Sequence, residues 1–217
     1  MSELRLFLLN SPLLPGMAMP LQVFEPRYLR LIDECRDADE PFGIALIREG
    51  VEVDGPAEPF SMGTTAEIQQ LAAIARGRLL VRTIGRRRFR IVELHHDRDY
   101  AWADVEYPVD ELSDVPASLL EESGKRFGEL LRLRAAERMT YERSPGIPQE
   151  AGELADAIAA EATGAAPGEA LQRIVEALDI RRRLELANEL LGALLEVAHR
   201  QTQAVVAAHW SGPDRLN

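Results

Sequence analysis

The chain has 217 residues, of which 46% are apolar, and a formal net charge of −11. This length suits one large domain or two small ones, and the acidity argues against a general polyanion binder, which needs an excess of Lys and Arg. With no apolar stretch near the roughly 20 residues that span a bilayer, no secretory signal and a lone Cys35, we expect a cytoplasmic protein without membrane contact or internal disulfide.

The first half of the chain alternates short apolar runs with turn residues, as β-strands do. A helix is predicted to begin at Glu25 and Pro26, because proline fits the first helical position. Its apolar face is formed by Tyr28, Leu31, Ile32 and Cys35. The predicted strands cover residues 4–9, 19–24, 42–47, 62–74, 79–84, 88–94 and 100–107. Strands at this spacing, with one helix among them, indicate a compact antiparallel barrel.

The second half of the chain has helical periodicity from Pro116 onward. Helices are predicted over 119–141 and 150–162, then around 171–178, and last over 180–209, where Asp179 is a suitable N-cap. Strands followed by helices indicate an α+β fold. We divide it into a β-rich subdomain at residues 1–112 and a four-helix subdomain at residues 113–217.

Several short motifs follow one another in a fixed order over residues 4–200. This ordered set resembles the substrate-binding N-terminal domain of Lon proteases. The resemblance implies a PUA-like β pseudo-barrel with one inserted helix, followed by a C-terminal helical bundle. It also implies binding of unfolded or tagged polypeptide, without catalysis. The motifs that carry it are Leu4–Tyr28, Gly63–Ile68, Gly85–Ile91, Leu154–Ala159 and Leu171–Leu195.

The catalytic parts of a Lon protease are predicted to be absent. A phosphate-binding loop needs Gly-x4-Gly-Lys-Ser/Thr, and only Gly124 and Lys125 match its end, with Arg126 in place of the hydroxyl residue. The family's peptidase uses a Ser–Lys dyad, but the sole lysine lies two positions after Ser123 on a predicted helix, where the two side chains do not face each other.

We therefore expect a stand-alone recognition module, not an enzyme, with no catalytic residues and no cofactor. Its expected partners are unfolded or tagged polypeptide and a separate protease, for which it acts as an adaptor or accessory factor. We expect a monomer or a weak homodimer. No metal site is predicted: His95, His96 and Asp99 are the one candidate cluster, and adjacent strand residues point to opposite faces.

Two surfaces are candidates for partner binding. Flexible thioethers suit varied peptide partners, so Met17, Met19 and Met62 are the candidate peptide contacts, although methionine also fills cores. The alternative function is RNA binding through an arginine ribbon from Arg76 to Arg90. In that hypothesis Arg82, Arg86 and Arg88 contact the nucleic acid. The competing interpretation is that these arginines face solvent and are neutralised by acidic residues on nearby strands.

Overall fold

The computed structural model describes residues 2–52, 57–137 and 146–210. Within these ranges the chain forms strands and one helix in the first half and four helices in the second. Residues 138–141 of the first predicted C-terminal helix lie outside the described residues. The elements are β1 (Ser2–Leu9), β2 (Ala18–Val23), α1 (Pro26–Ala38), β3 (Phe42–Gly50), β4 (Ala57–Pro59), β5 (Met62–Ile74), β6 (Arg78–His95), β7 (Trp102–Glu106), α2 (Ala117–Glu137), α3 (Ala151–Ala162), α4 (Gly168–Glu176) and α5 (Ile180–Trp210).

The strands pair in a ring. The path runs β1-β7-β6-β5-β3, and β3 pairs in turn with β1, so that the ladder returns to its starting strand. Outside the ring, β4 pairs antiparallel with the end of β3, and β2 pairs antiparallel with β6. The β1–β3 pair is parallel, with Leu6 opposite Gly43, so the prediction of a purely antiparallel barrel is wrong at this pair. The reason is that α1 lies between the two strands in sequence, and a helical crossover allows parallel pairing.

Strand β6 is continuous through Gly85, where two separate strands were predicted. The loop after β1 is bound to this point by two backbone hydrogen bonds of 2.9 Å: Gly16 N–H donates to Gly85 O, and Gly85 N–H donates to Met17 O. A Cβ at Gly85 would lie 2.1 Å from Leu14 O. Glycine is required here because the loop backbone approaches too closely for any side chain.

The helices pack on one another and on one side of the strands. Helix α5 contacts both α2 and α3, and α4 contacts β5. Asp179 caps α5 as predicted, because its Oδ1 accepts a 2.7 Å hydrogen bond from Arg182 N–H. The helical core also contains Leu14 and Met62 from the strand half, so the two halves share apolar packing. No helix in the described part of the chain combines the length and apolar character needed to span a membrane.

Candidate functional site

A cleft separates the strand half from the helical half. It consists of two adjoining cavities of ≈ 720 and ≈ 620 Å³, both of which are lined by Pro15, Arg86, Glu153 and Asp156. One wall is the loop after β1 together with the Gly85 region of β6, and the other is α3. The loop wall is held by the backbone bonds at Gly85, so its position depends directly on that residue.

The floor of the cleft is apolar. Phe127 and Leu131 from α2 line it beside Ala157 and Ala160 from α3. Met17 completes the floor: it is half-buried and packs against both the strand core and the helical core. A floor of small and flexible side chains offers apolar contact without demanding one ligand shape.

Two large apolar side chains lie at one end of the cleft. Val109 and Leu112, in the connection between β7 and α2, line the second cavity and are 81% and 90% exposed. These two side chains leave apolar surface in contact with water at this end of the cleft.

A buried charge network supports the α3 wall. Arg88 on β6 donates from Nη1 to Asp156 Oδ2 at 3.1 Å and from Nε to Val175 O at 3.0 Å. Arg183 on α5 lies 3.9 Å from the same carboxylate and donates from Nη1 to Asp110 Oδ2 at 2.9 Å. The network therefore joins β6, α3, α5 and the connection after β7.

The two carboxylates of this network have opposite pKa shifts. Burial raises the pKa of Asp156 above its ordinary value, and the positive charges of Arg88 and Arg183 act against that rise. Burial also acts on Asp110, but the hydrogen bonds and charge of Arg183 outweigh it and lower the pKa. These groups are engaged with one another, which indicates a structural role beneath the cleft.

The methionines predicted to bind peptide do not share a surface. Met19 and Met62 are buried in the strand core and the helical core, with 8% and 3% exposure. The prediction of an exposed surface is therefore wrong for these two. Met19 occupies an inward position of β2, whose exposure alternates along the strand, and Met62 is covered by the helices. Only Met17 lines the cleft.

The predicted arginine ribbon is interrupted. Arg88 is 8% exposed and paired with Asp156, so its proposed contact with nucleic acid is wrong, because the helices cover that position of β6. Arg86 is exposed but bound to Glu67 at 2.7 Å, and Arg82 is exposed. Further along β6, Arg90 is paired with Glu106. Neighbouring strands thus supply acidic partners for Arg86 and Arg90, two of the seven arginines from Arg76 to Arg90.

The residues considered for metal binding and catalysis are also engaged elsewhere. His95 lies 3.0 Å from Asp104 and stacks on Trp102, whereas Asp99 is paired with Arg30. Within the part of the chain that the structure describes, the three ligand-type groups that come within 4.8 Å of one another are Glu93, His95 and Asp104, not the predicted His95, His96 and Asp99. The absence of a metal remains a prediction.

The side chains of Ser123 and Lys125 point to different neighbours. The Ser123 hydroxyl is buried, donates to Leu119 O and accepts from Asn188, while Lys125 is exposed and paired with Glu121 at 2.6 Å. This geometry contains no serine–lysine contact.

A closed ring of strands, a helical half and a cleft between them define a mixed α/β fold. Comparison with known sequences then identifies the family: the profile described as the ATP-dependent protease La (LON) substrate-binding domain matches residues 3–193. The chain belongs to this family, as its ordered motifs predicted.

Relatives and solved structures agree with this assignment. Lon protease 2 of Myxococcus xanthus is 30% identical over 199 residues, covering 87% of this chain and 23% of that protein. Lon protease of Syntrophus aciditrophicus is 28% identical over 197 residues, covering 84% of this chain and 24% of that protein. The chain therefore spans about a quarter of the length of the curated relatives it matches.

Two experimental structures share the fold. The Lon N-terminal domain protein from Xanthomonas campestris is 27% identical, with a TM-score of 0.65 over 85% of this chain and 96% of that one. The N-terminal domain of Mycobacterium avium complex Lon protease has a TM-score of 0.69 over 88% of this chain and 98% of that one, and its 22% identity shows the fold alone.

Proposed function

We propose that this protein binds segments of non-native polypeptide in the cleft and performs no catalysis. Membership of a substrate-binding family supports the general role. We further propose that the ring of strands is a PUA-like pseudo-barrel forming a subdomain at residues 1–112, and that residues 113–217 form a helical subdomain. In this arrangement the cleft lies where the two subdomains meet.

The observation that carries the proposal is the exposed apolar pair at the end of the cleft. Val109 and Leu112 are exposed in the second cavity, which adjoins the cavity that half-buried Met17 lines. An unfolded segment offers apolar side chains, and contact with this pair would remove both partners from water. We propose that the captured segment is then passed to a separate protease, so that the protein acts as an adaptor, as a monomer or a weak homodimer.

Polypeptide binding is tested by fluorescence anisotropy with a labelled, reduced and alkylated protein that cannot fold. We expect the V109D/L112D variant to bind about tenfold more weakly, because two apolar contacts, together worth about 1–2 kcal/mol when partly buried, are replaced by hydrated carboxylates. The matched control is V92D, since Val92 is 51% exposed on β6 and does not line the cleft.

Three results would contradict the proposal. The first is an equal loss of binding in V92D and V109D/L112D. The second is turnover of ATP or cleavage of peptide by the purified protein. The third is tight, salt-dependent binding of an RNA oligomer that is lost in an R82E variant, which would favour the arginine alternative instead.

A further inference from the structure

The α3 wall of the cleft carries two carboxylates that the rest of the structure does not use. Glu153 and Glu161 both line the larger cavity. Over residues 2–52, 57–137 and 146–210, neither side-chain carboxylate makes a hydrogen bond or an ion pair. The other charges of that cavity are engaged, because Arg86 is paired with Glu67 and Asp156 with Arg88.

Glu161 occupies a position that helix electrostatics disfavour. It lies in the last turn of α3, one residue before the helix ends at Ala162, and no basic residue is present in that turn. The C-terminal end of a helix carries partial negative charge, so a carboxylate there is destabilising unless a cation is nearby. The stability of α3 does not explain a glutamate at this position. Pairing with a cation bound in the cleft would explain it.

We propose that the cleft prefers polypeptide segments in which arginine or lysine alternates with apolar residues. This inference rests on the proposed function and specifies its ligand. The apolar side chains of the segment contact the floor, and its cations pair with Glu153 and Glu161. The net charge of −11 contributes long-range attraction for the same ligands.

The geometry of α3 sets the spacing of the two cations. Glu161 lies eight positions after Glu153, which corresponds to about 12 Å along the helix at 1.5 Å per residue. An extended peptide covers about that distance in four residues. Side chains four apart in an extended chain also point to the same face, whereas side chains five apart point to opposite faces.

The test uses labelled peptides of equal length and apolar composition. One has two arginines four positions apart, an isomer has them five apart, and two further peptides replace both arginines by glutamine or by glutamate. Each is titrated by anisotropy against the wild type, the E153Q/E161Q variant and the E169Q/E189Q variant. The last is a matched control, because Glu169 and Glu189 are exposed on α4 and α5 and do not line the cleft.

At low salt we expect the four-spaced peptide to bind wild type about five- to tenfold more tightly than the glutamine peptide, as two partly exposed ion pairs allow. The isomer and the glutamate peptide should bind more weakly than the four-spaced peptide. The preference should disappear in E153Q/E161Q, persist in E169Q/E189Q, and decline as salt screens the charges.

Equal binding of the four-spaced and glutamine peptides would overturn the inference and leave the proposed function standing. An equal loss of preference in E169Q/E189Q would also overturn it, because general net charge would then explain the effect. Failure of every peptide, including the glutamine peptide, together with failure of the unfolded protein probe, would instead overturn the proposed function.

Discussion

Arg88 and Asp156 form the buried pair on which the α3 wall rests. Both side chains are 7% exposed, and the guanidinium also bonds to Val175 O. Transferring two charged groups from water to the protein interior costs free energy. The attraction between them offsets this cost only when the ion pair is well aligned and further hydrogen bonds satisfy both groups. Here both carboxylate oxygens are used by Arg88, and Arg183 lies within 3.9 Å.

Breaking this pair from one side should be strongly destabilising. We expect D156N to lower the free energy of unfolding by about 3–5 kcal/mol, because Arg88 would stay buried without its counter-charge. The matched control is E67Q, which removes the exposed partner of Arg86 and should cost less than about 1 kcal/mol. Urea denaturation followed by circular dichroism measures both, and equal effects would contradict a structural role for the buried pair.

The sequence did not reveal which arginine of the ribbon is buried. Arg88 was grouped with Arg82 and Arg86 because strand periodicity alone does not show which positions a distant helix covers. The residue that could have indicated the buried pair is Asp156, which lies within the apolar motif Leu154–Ala159. A charged residue in an otherwise apolar stretch of a helix is a reason to look for a buried counter-charge.

Helix α2 contains two glycines whose surroundings differ. A Cβ at Gly124 would meet only Ile147 Cγ2 at 3.7 Å, an ordinary contact. A Cβ at Gly128 would lie 2.8 Å from Ile147 Cδ1, which is too close without movement of that side chain. The segment after residue 145 therefore packs against α2 at the second glycine.

Alanine substitutions should separate these two positions. We expect G124A to raise the free energy of unfolding by about 1 kcal/mol, because alanine has the higher helix propensity. In G128A the free energy of unfolding should rise by less, or fall, because the Ile147 side chain must move. In an I147V background, which lacks the Cδ1 atom, G128A should raise the free energy of unfolding by about as much as G124A does. Thermal or urea unfolding measures all four variants, and identical effects of G124A and G128A would exclude this packing.

At the level of elements, local signals were predicted well, whereas one strand pair and one short strand were not. Pro26 at the start of α1 and Asp179 at the start of α5 are confirmed, because capping depends on neighbouring residues. The parallel β1–β3 pair and the short strand Ala57–Pro59 were missed. Strand direction depends on the path of the intervening chain, which a two-residue period does not encode.

In the described residues, one apolar core crosses the boundary between the strand half and the helical half. Leu14 and Met62 belong to the helical core, and Met17 packs against two cores. The cleft residues were correspondingly hard to predict, because they come together only when the halves dock. The sequence indicated Met17 but none of Val109, Leu112, Glu153 or Glu161.

Shared cores predict that both halves unfold together. In a W210F variant, Trp102 is the only tryptophan and reports on the strands, while circular dichroism at 222 nm reports on the helices. We expect the two urea transitions to coincide, as in a two-state process. Separate midpoints would show that the halves are independent folding units and that the cleft is an interface between them.

The closure of the ring has a consequence for biosynthesis. Ser2 on β1 pairs opposite Val105 on β7, so a ribosome must deliver about a hundred more residues before that ladder can form. Before β7 is available, the apolar segment Leu4–Leu9 can pair only with β3. Non-local contacts of this kind are acquired slowly, so the join between β1 and β7 is expected to be a late step in forming the ring, after β7 has left the ribosome.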